Sequence, residues 1–114
     1  MYLFIIYLFT AENVSSWEVT IGGVNSSSAK VSWTAFPVSL PVNYFLVRYR
    51  EVATSVSTLY QVSHFSNTYC ANLLKGFTAY GVQVFAVTEN NGTYASKVLS
   101  LQTEEGGKCQ QIQL

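Results

Sequence analysis

Catalysis and metal binding need groups that ionise, ligate or attack, and this chain offers few of them. It has one histidine, His64, and two cysteines, Cys70 and Cys109; its six acidic residues are all glutamates and aspartate is absent. One histidine and two distant cysteines do not supply the three or four ligands of a zinc site. A serine–histidine–aspartate set cannot exist without aspartate, and no nucleophile elbow accompanies a glutamate variant. Gly22-Gly23 reads as a turn, because neither a G-x-G-x-x-G nor a Walker pattern follows it. His64 falls at or near an edge strand as an exposed or half-exposed residue, and Glu104-Glu105 reads as a solvated strand end. The inventory predicts a chain that is not an enzyme and takes no cofactor or metal.

Composition narrows the field from the other side. The 114 residues carry 49% hydrophobic and 15% aromatic side chains, enough for one packed domain and too apolar for a disordered chain. Aromatic and β-branched enrichment favours strands. Charged residues make up 11%, below the roughly 25% usual for soluble domains. The formal net charge is zero, so there is no electrostatic footprint for nucleic acid or for an acidic lipid surface. The two cysteines could form one bridge but are not a disulfide framework.

The ends differ from the middle. Residues 1–9 are a continuous apolar run, Met-Tyr-Leu-Phe-Ile-Ile-Tyr-Leu-Phe, far short of the ~20 residues that cross a bilayer. Segment 1–13 has two readings. As a signal remnant it lacks a positive start, and cleavage after Ala11 would put Phe9 where a small residue is wanted. As intron read-through it fits a pyrimidine-rich tract ending at Thr10-Ala11, and Gly107-Lys108-Cys109 can be encoded by a splice-donor-like sequence. Residues 106–114 read as a disordered tail. Neither end has a place in the strand pattern of the middle.

From 14 to 105 the chain reads as short strands broken by Gly, Asn, Ser and Pro, with no sustained helical period. Val19, Ile21 and Val24 belong to the first, ending at Gly22-Gly23. Ala29, Val31 and Trp33 alternate with Lys30, Ser32 and Thr34, as in a half-buried strand. Pro37 and Pro41 bound a loop. Phe45, Val47 and Tyr49 then alternate with Leu46, Arg48 and Arg50. An edge strand covers about 57–63. Tyr69, Ala71 and Leu74 mark the next, and Tyr80, Val82, Val84 and Ala86 a strong one after it. Glu89-Asn90-Asn91-Gly92 is a hairpin turn, and Leu99 and Leu101 close the series. Seven such strands with regularly spaced turns predict an all-β, immunoglobulin-like antiparallel β-sandwich.

Within this stretch the chain resembles the fibronectin type III family. Val31-Ser32-Trp33 ends the second strand with Trp33 where the family keeps its core tryptophan. Phe45-Leu46-Val47-Arg48-Tyr49 is similar to the family's third strand. Leu74-Lys75-Gly76-Phe77-Thr78-Ala79-Tyr80-Gly81-Val82-Gln83-Val84-Phe85-Ala86-Val87 follows its Leu-x-Pro-x-Thr-x-Tyr-x-Val-x-Val-x-Ala-Val pattern, with Gly76 in place of the usual proline. The resemblance implies a core of Trp33, Leu74, Tyr80, Val82 and Val84. Trp33 would plug the space between the sheets, and Tyr80 would form a tyrosine corner with its hydroxyl bonded to nearby backbone.

The third and sixth strands are neighbours in this fold, so alternation puts Tyr44, Leu46, Phe85 and Val87 on one outer face. That face is the candidate interaction surface, an exposed apolar patch that would meet another domain. Asn13, Asn25 and Asn91 begin glycosylation sequons. The resemblance implies an extracellular or cell-surface adhesion module from a larger receptor-like or matrix protein. Its partners would be other protein domains, with membrane attachment only through a parent segment. The alternatives are a structural spacer in an intracellular tandem array and an accessory module of a larger enzyme. No Arg-Gly-Asp and no Trp-Ser-x-Trp-Ser occurs.

Overall fold

The computed structural model describes residues 11–72, 74–90 and 92–104. Among them the chain forms nine strands and no helix: β1 (Glu12–Asn13), β2 (Val19–Gly22), β3 (Ala29–Trp33), β4 (Val42–Glu51), β5 (Ser57–Ser63), β6 (Thr68–Ala71), β7 (Ala79–Thr88), β8 (Thr93–Ala95) and β9 (Leu99–Gln102). They make two sheets. The larger runs β1-β8-β7-β4-β5, with β9 also paired to β7; the smaller runs β2-β3-β6. The architecture is an immunoglobulin-like β-sandwich.

The core lies between the sheets and is built by alternation. Val31 and Trp33 from β3 meet Phe45, Val47 and Tyr49 from β4 and Tyr80, Val82, Val84 and Ala86 from β7. Trp33 and Phe45 are 5.3 Å apart between ring centroids, close enough for a tilted aromatic pair. Tyr49 reaches across the gap, its phenol donating to the Ala29 carbonyl at 3.5 Å. Burial, then the neighbouring Tyr69 and Tyr60, push that phenol well above its ordinary value. Leu74 is half-buried against the same core.

Several boundaries differ from the expectation, each for a local reason. Val24 lies beyond β2, in the turn, and still packs on the core. Leu74 lies beyond β6, tied instead by its amide to the Ser27 carbonyl at 2.8 Å. The closing strand is split in two. Between β8 and β9 the chain bulges at Ser96, whose backbone amide donates to Val84 O while its hydroxyl accepts from Val84 N at 3.0 Å. A side-chain oxygen thus stands in for a backbone carbonyl, and pairing along β7 continues past the break. Strand β1 pairs parallel to β8, Glu12 opposite Tyr94 and Asn13 opposite Ala95. Two residues carry too little pattern to announce a strand.

The expected hairpin joins β7 to β8, but its glycine serves another purpose. Asn-Gly turns usually exploit a left-handed glycine. Here Gly92 lies outside the left-handed region, and a Cβ on it would stand 3.1 Å from Thr88 Oγ1 and 3.2 Å from the Tyr94 ring. It is needed for close approach.

Candidate interaction site

The outer face of the β4–β7 pair is the surface that the alternation singled out. Its register is as expected: Tyr44 stands opposite Val87, and Leu46 opposite Phe85. Its exposure is not. Leu46 is 1% exposed, Phe85 and Val87 2% each, and Tyr44 is half-buried. The expectation of an open patch is therefore corrected: these side chains point away from the second sheet and are nonetheless covered. With Ala95 they form a second apolar cluster, against which Ala11, Tyr44 and Leu59 pack. Alternation reports which way a side chain points, not what lies above it.

Along the same face the cluster gives way to polar groups. The Arg48 guanidinium sits 5.3 Å from the centre of the Phe85 ring and donates to Gln83 Oε1 at 2.7 Å. Gln83 Nε2 in turn donates to the Ser96 carbonyl at 2.8 Å. Burial, then the charge on Arg50, hold the Arg48 guanidinium below its ordinary value. A flat cation on an aromatic ring closes this end of the cluster.

The end of the sandwich that holds the β3–β4 loop, the β5–β6 loop and the β7–β8 turn is open. Phe65 is 88% exposed, its ring 4.0 Å from that of His64. Beneath lies a hollow walled by Trp33, Phe36, Leu40 and Phe45. Trp17, which the sequence pattern missed, underlies the same end. It is 1% exposed, packs edge-on against Phe36 at 5.2 Å and donates its indole N–H to the Thr34 carbonyl at 2.8 Å. Its isolation between Ser16 and Glu18 hid it, although a tryptophan whose indole can reach a carbonyl is a natural plug for a sandwich end. Trp33 Nε1, by contrast, is buried without a partner.

The opposite end is tied down. The Lys75 amide donates to the Tyr80 hydroxyl at 2.9 Å, which satisfies a buried phenol from five residues upstream. That bond is the tyrosine corner. Lys75 Nζ bridges to Glu51 at 3.0 Å, and Thr103 Oγ1 donates to the Lys75 carbonyl at 2.6 Å. Gly76 stands where the family resemblance implies proline, and Phe77 after it takes φ 49°. Among the described residues no group of three or more His, Cys, Asp or Glu side chains converges to hold a metal.

The core tryptophan, the tyrosine corner and the strand order coincide with a match of residues 13–102 to the model of the fibronectin type III domain. The chain belongs to the fibronectin type III family. Solved structures of similar shape include the FN3 domain of human collagen XX, at 23% identity, TM-score 0.69, covering 82% of this chain and 93% of that one. The FN5 domain of Drosophila Lar has 20% identity and a TM-score of 0.65, covering 84% and 99%. The FN1-FN3 domains of chicken CNTN1 have 22% identity and a TM-score of 0.71, covering 83% of this chain and 31% of that one. At such identities the likeness is one of fold. No curated protein matches the sequence. Fibronectin type III domains are commonly protein-interaction or spacer modules in receptors and adhesion proteins, and generally non-catalytic.

Of the sequons, Asn25 is exposed in the β2–β3 turn, its carboxamide oxygen accepting from the Ser27 and Ser28 amides at 2.9 Å each. Asn13 is exposed on β1. Asn91 lies outside the described residues, as do Cys109, residues 1–10 and the tail from 105. Cys70 is exposed on β6 and free.

Proposed function

We propose that this fibronectin type III domain is a non-catalytic protein-interaction and adhesion module on the extracellular side of a larger receptor-like or matrix protein. The observation that carries this reading is the open loop end. An aromatic ring held almost wholly in solvent, backed by a second ring and an apolar hollow, is what protein contacts use as an anchor. Loops on a rigid sandwich are where such anchors can be placed without cost to the core. The partner is another protein domain, and neighbouring domains of the same parent are the nearest candidates. The exposed sequons at Asn13 and Asn25 fit passage through the secretory pathway.

A dimeric fusion of the domain, secreted from cultured cells, tests both parts. Glycan on Asn25, seen as a mass shift lost in Asn25→Gln, supports the extracellular assignment; an unmodified secreted chain counts against it. Binding of the fusion to cell surfaces that is abolished by Phe65→Glu supports the loop end. Undiminished binding by that variant rules the loop end out.

A second reading, the spacer in a tandem array, is favoured by one feature. Strand β1 enters beside Tyr94 at the loop end, and Glu104 leaves beside Asn25 and Phe77 at the other, its amide bonded to Asn25 O at 3.1 Å. Entry and exit at opposite ends suit a linear string of domains.

A further inference from the structure

The sheet edges of this domain are not alike. The smaller sheet ends in β2 and β6, four residues each, and the larger ends on one side in β1, two residues long. Its other side ends in β5, seven residues long, which among the described residues has a partner on one flank only. A long edge presents a row of unpaired amides and carbonyls, and proteins guard it with a lysine, a proline, a bulge or brevity. Strand β5 has none of these. Its sequence, Ser-Thr-Leu-Tyr-Gln-Val-Ser, holds no charge and no proline, and it pairs with β4 from Ser57 to Ser63 without a shift of register. The free groups can be named. The Glu51 amide donates to the Val56 carbonyl at 2.8 Å, so bonded pairs recur at every second position from there. The backbone of Thr58, Tyr60 and Val62 therefore turns to β4, and that of Ser57, Leu59, Gln61 and Ser63 turns outward. The Ser63 carbonyl accepts from the Ser66 amide at 3.0 Å, while the amides of Leu59 and Gln61 face no other described strand.

We propose that this edge pairs with the same edge of a second copy of the chain, antiparallel, about a twofold axis through Tyr60. The strand itself argues for a like partner. Tyr60 is its middle residue, so the antiparallel match that overlaps the whole strand sets Ser57 against Ser63, Thr58 against Val62, Leu59 against Gln61 and Tyr60 against its own counterpart. The same match brings outward backbone to outward backbone, because Ser57, Leu59, Gln61 and Ser63 exchange places, and the ladder closes with no residue out of phase. No like charges meet across it, whereas a strongly charged partner would find no complement on this strand. The faces agree as well. Thr58 and Val62 share the inner face with Tyr60, whose ring stacks on Tyr69 of β6 at 4.8 Å, so two β-branched pairs flank the axis on that side. One residue beyond the strand, Val56 is 63% exposed, and the register sets it against His64 of the second copy. Pairing thus joins the two larger sheets into one. The contact is made by backbone along β5, and so is separable from the Phe65 anchor at the loop end.

The test follows the full chain by sedimentation equilibrium at rising concentration, with amide hydrogen exchange read alongside. A dimer should form, and the amides of Leu59 and Gln61 should gain protection with it while those of β2 do not. Gln61→Pro removes an outward amide that β4 does not use, a change an edge strand accepts. It should match the native chain by circular dichroism and weaken self-association about tenfold or more, because each copy loses a donor at the seam. If the proline variant does not fold, Gln61→Lys decides. It keeps the amide, adds like charges close to the axis, and should weaken association more in low salt than in high salt. Phe65→Glu should leave the dimer intact, so that loss of the loop-end contact and loss of the edge contact are read apart. A chain that stays monomeric up to roughly 1 mM would overturn the proposal. So would a dimer that the folded Gln61 variants leave unchanged, or one that Phe65→Glu abolishes.

Discussion

On its inner face the β4–β7 pair presents Val47, Tyr49, Val82 and Val84; on its outer face it presents Leu46, Phe85 and Val87. The two sets interleave along the same strands and reach the same burial, but different layers hold them. The inner set is roofed by a sheet whose strands are fixed by ladders, β2 to β3 and β3 to β6. The outer set has no described sheet above it. Burial of equal depth can therefore rest on unequal support, and alternation in a central strand cannot separate the two. Strand β7 is buried at every position from Val82 to Thr88, the near-continuous pattern of a strand covered on both faces.

The sharpest way to break this comparison is a charge on each face. Val84 is fully buried against the second sheet, and Val84→Glu should leave the domain unfolded, because an unpaired carboxylate cannot be housed there. Phe85→Glu, on the outer face, should destabilise less, because its cluster is smaller and no ladder-fixed sheet lies among its described neighbours. Circular dichroism and urea melts of both variants check this; a folded Val84→Glu beside an unfolded Phe85→Glu would mean the register is off by one residue.

Truncation sharpens it. Trp33→Ala should lose ~3–5 kcal/mol, as large aromatic deletions in cores do. Phe85→Ala, on the outer face, should lose less, because its ring belongs to a smaller cluster than the inner core. Equal losses for the two variants in urea melts would show that the outer cluster holds its ring as firmly as the inner core does.

How far the residues announced all this varies with how repetitive each signal is. Trp33, Phe45, Val47, Tyr80 and Val84 were legible because period-two alternation and family spacing agree on them. The edge strand at 57–63 was legible to the residue. The tyrosine corner was implied by the family resemblance over Leu74 to Tyr80. Trp17 was not, because it sits outside any alternating run, and its place depends on the Thr34 carbonyl arriving from another strand. Strand β8 was hidden by the Ser96 bulge. The outer face was placed correctly and judged wrongly, because sequence pattern gives direction within a sheet while exposure depends on what the rest of the chain lays over it. Phe65, the ring on which the functional reading rests, had no pattern to mark it.

Smaller effects lie at the rim, where the inner face runs out. Tyr80→Phe keeps the ring and removes the acceptor for the Lys75 amide, so it should lose roughly 1–2 kcal/mol with no change in fold. A neutral result in thermal melts would mean that water replaces the phenol at no cost. Phe77 is 69% exposed at a left-handed φ, a conformation that bulky residues adopt at a penalty and asparagine tolerates. Phe77→Asn should therefore gain about 1 kcal/mol or less. A loss instead would show that the ring has a contact worth more than the strain.

The smallest effect is a pH dependence at the last residue of β4. Glu51 stands opposite Tyr80 in the ladder, at the point where the apolar row ends in a charge. Its carboxylate accepts from Lys75 Nζ and, at 2.8 Å, from Thr54 Oγ1. The Lys75 bond first, and the Thr54 bond after it, hold the carboxyl below its ordinary value of 4.5. The sign follows from linkage. In the window between the folded and the ordinary values the unfolded chain binds more protons, so stability rises with pH there. The stabilisation is fully present above the ordinary value and is lost as pH falls through the folded one. Because Lys75 is largely in solvent, the pair is screened and its contribution is small. Melting temperatures of the native chain and of Glu51→Gln, taken from neutral pH down through the carboxylate range, should converge as the acid limit is approached. Curves that stay parallel throughout would show that Glu51 titrates alike in the folded and unfolded chains, and that the rim of the inner face is held by Tyr80 and Thr103 without help from its charge pair.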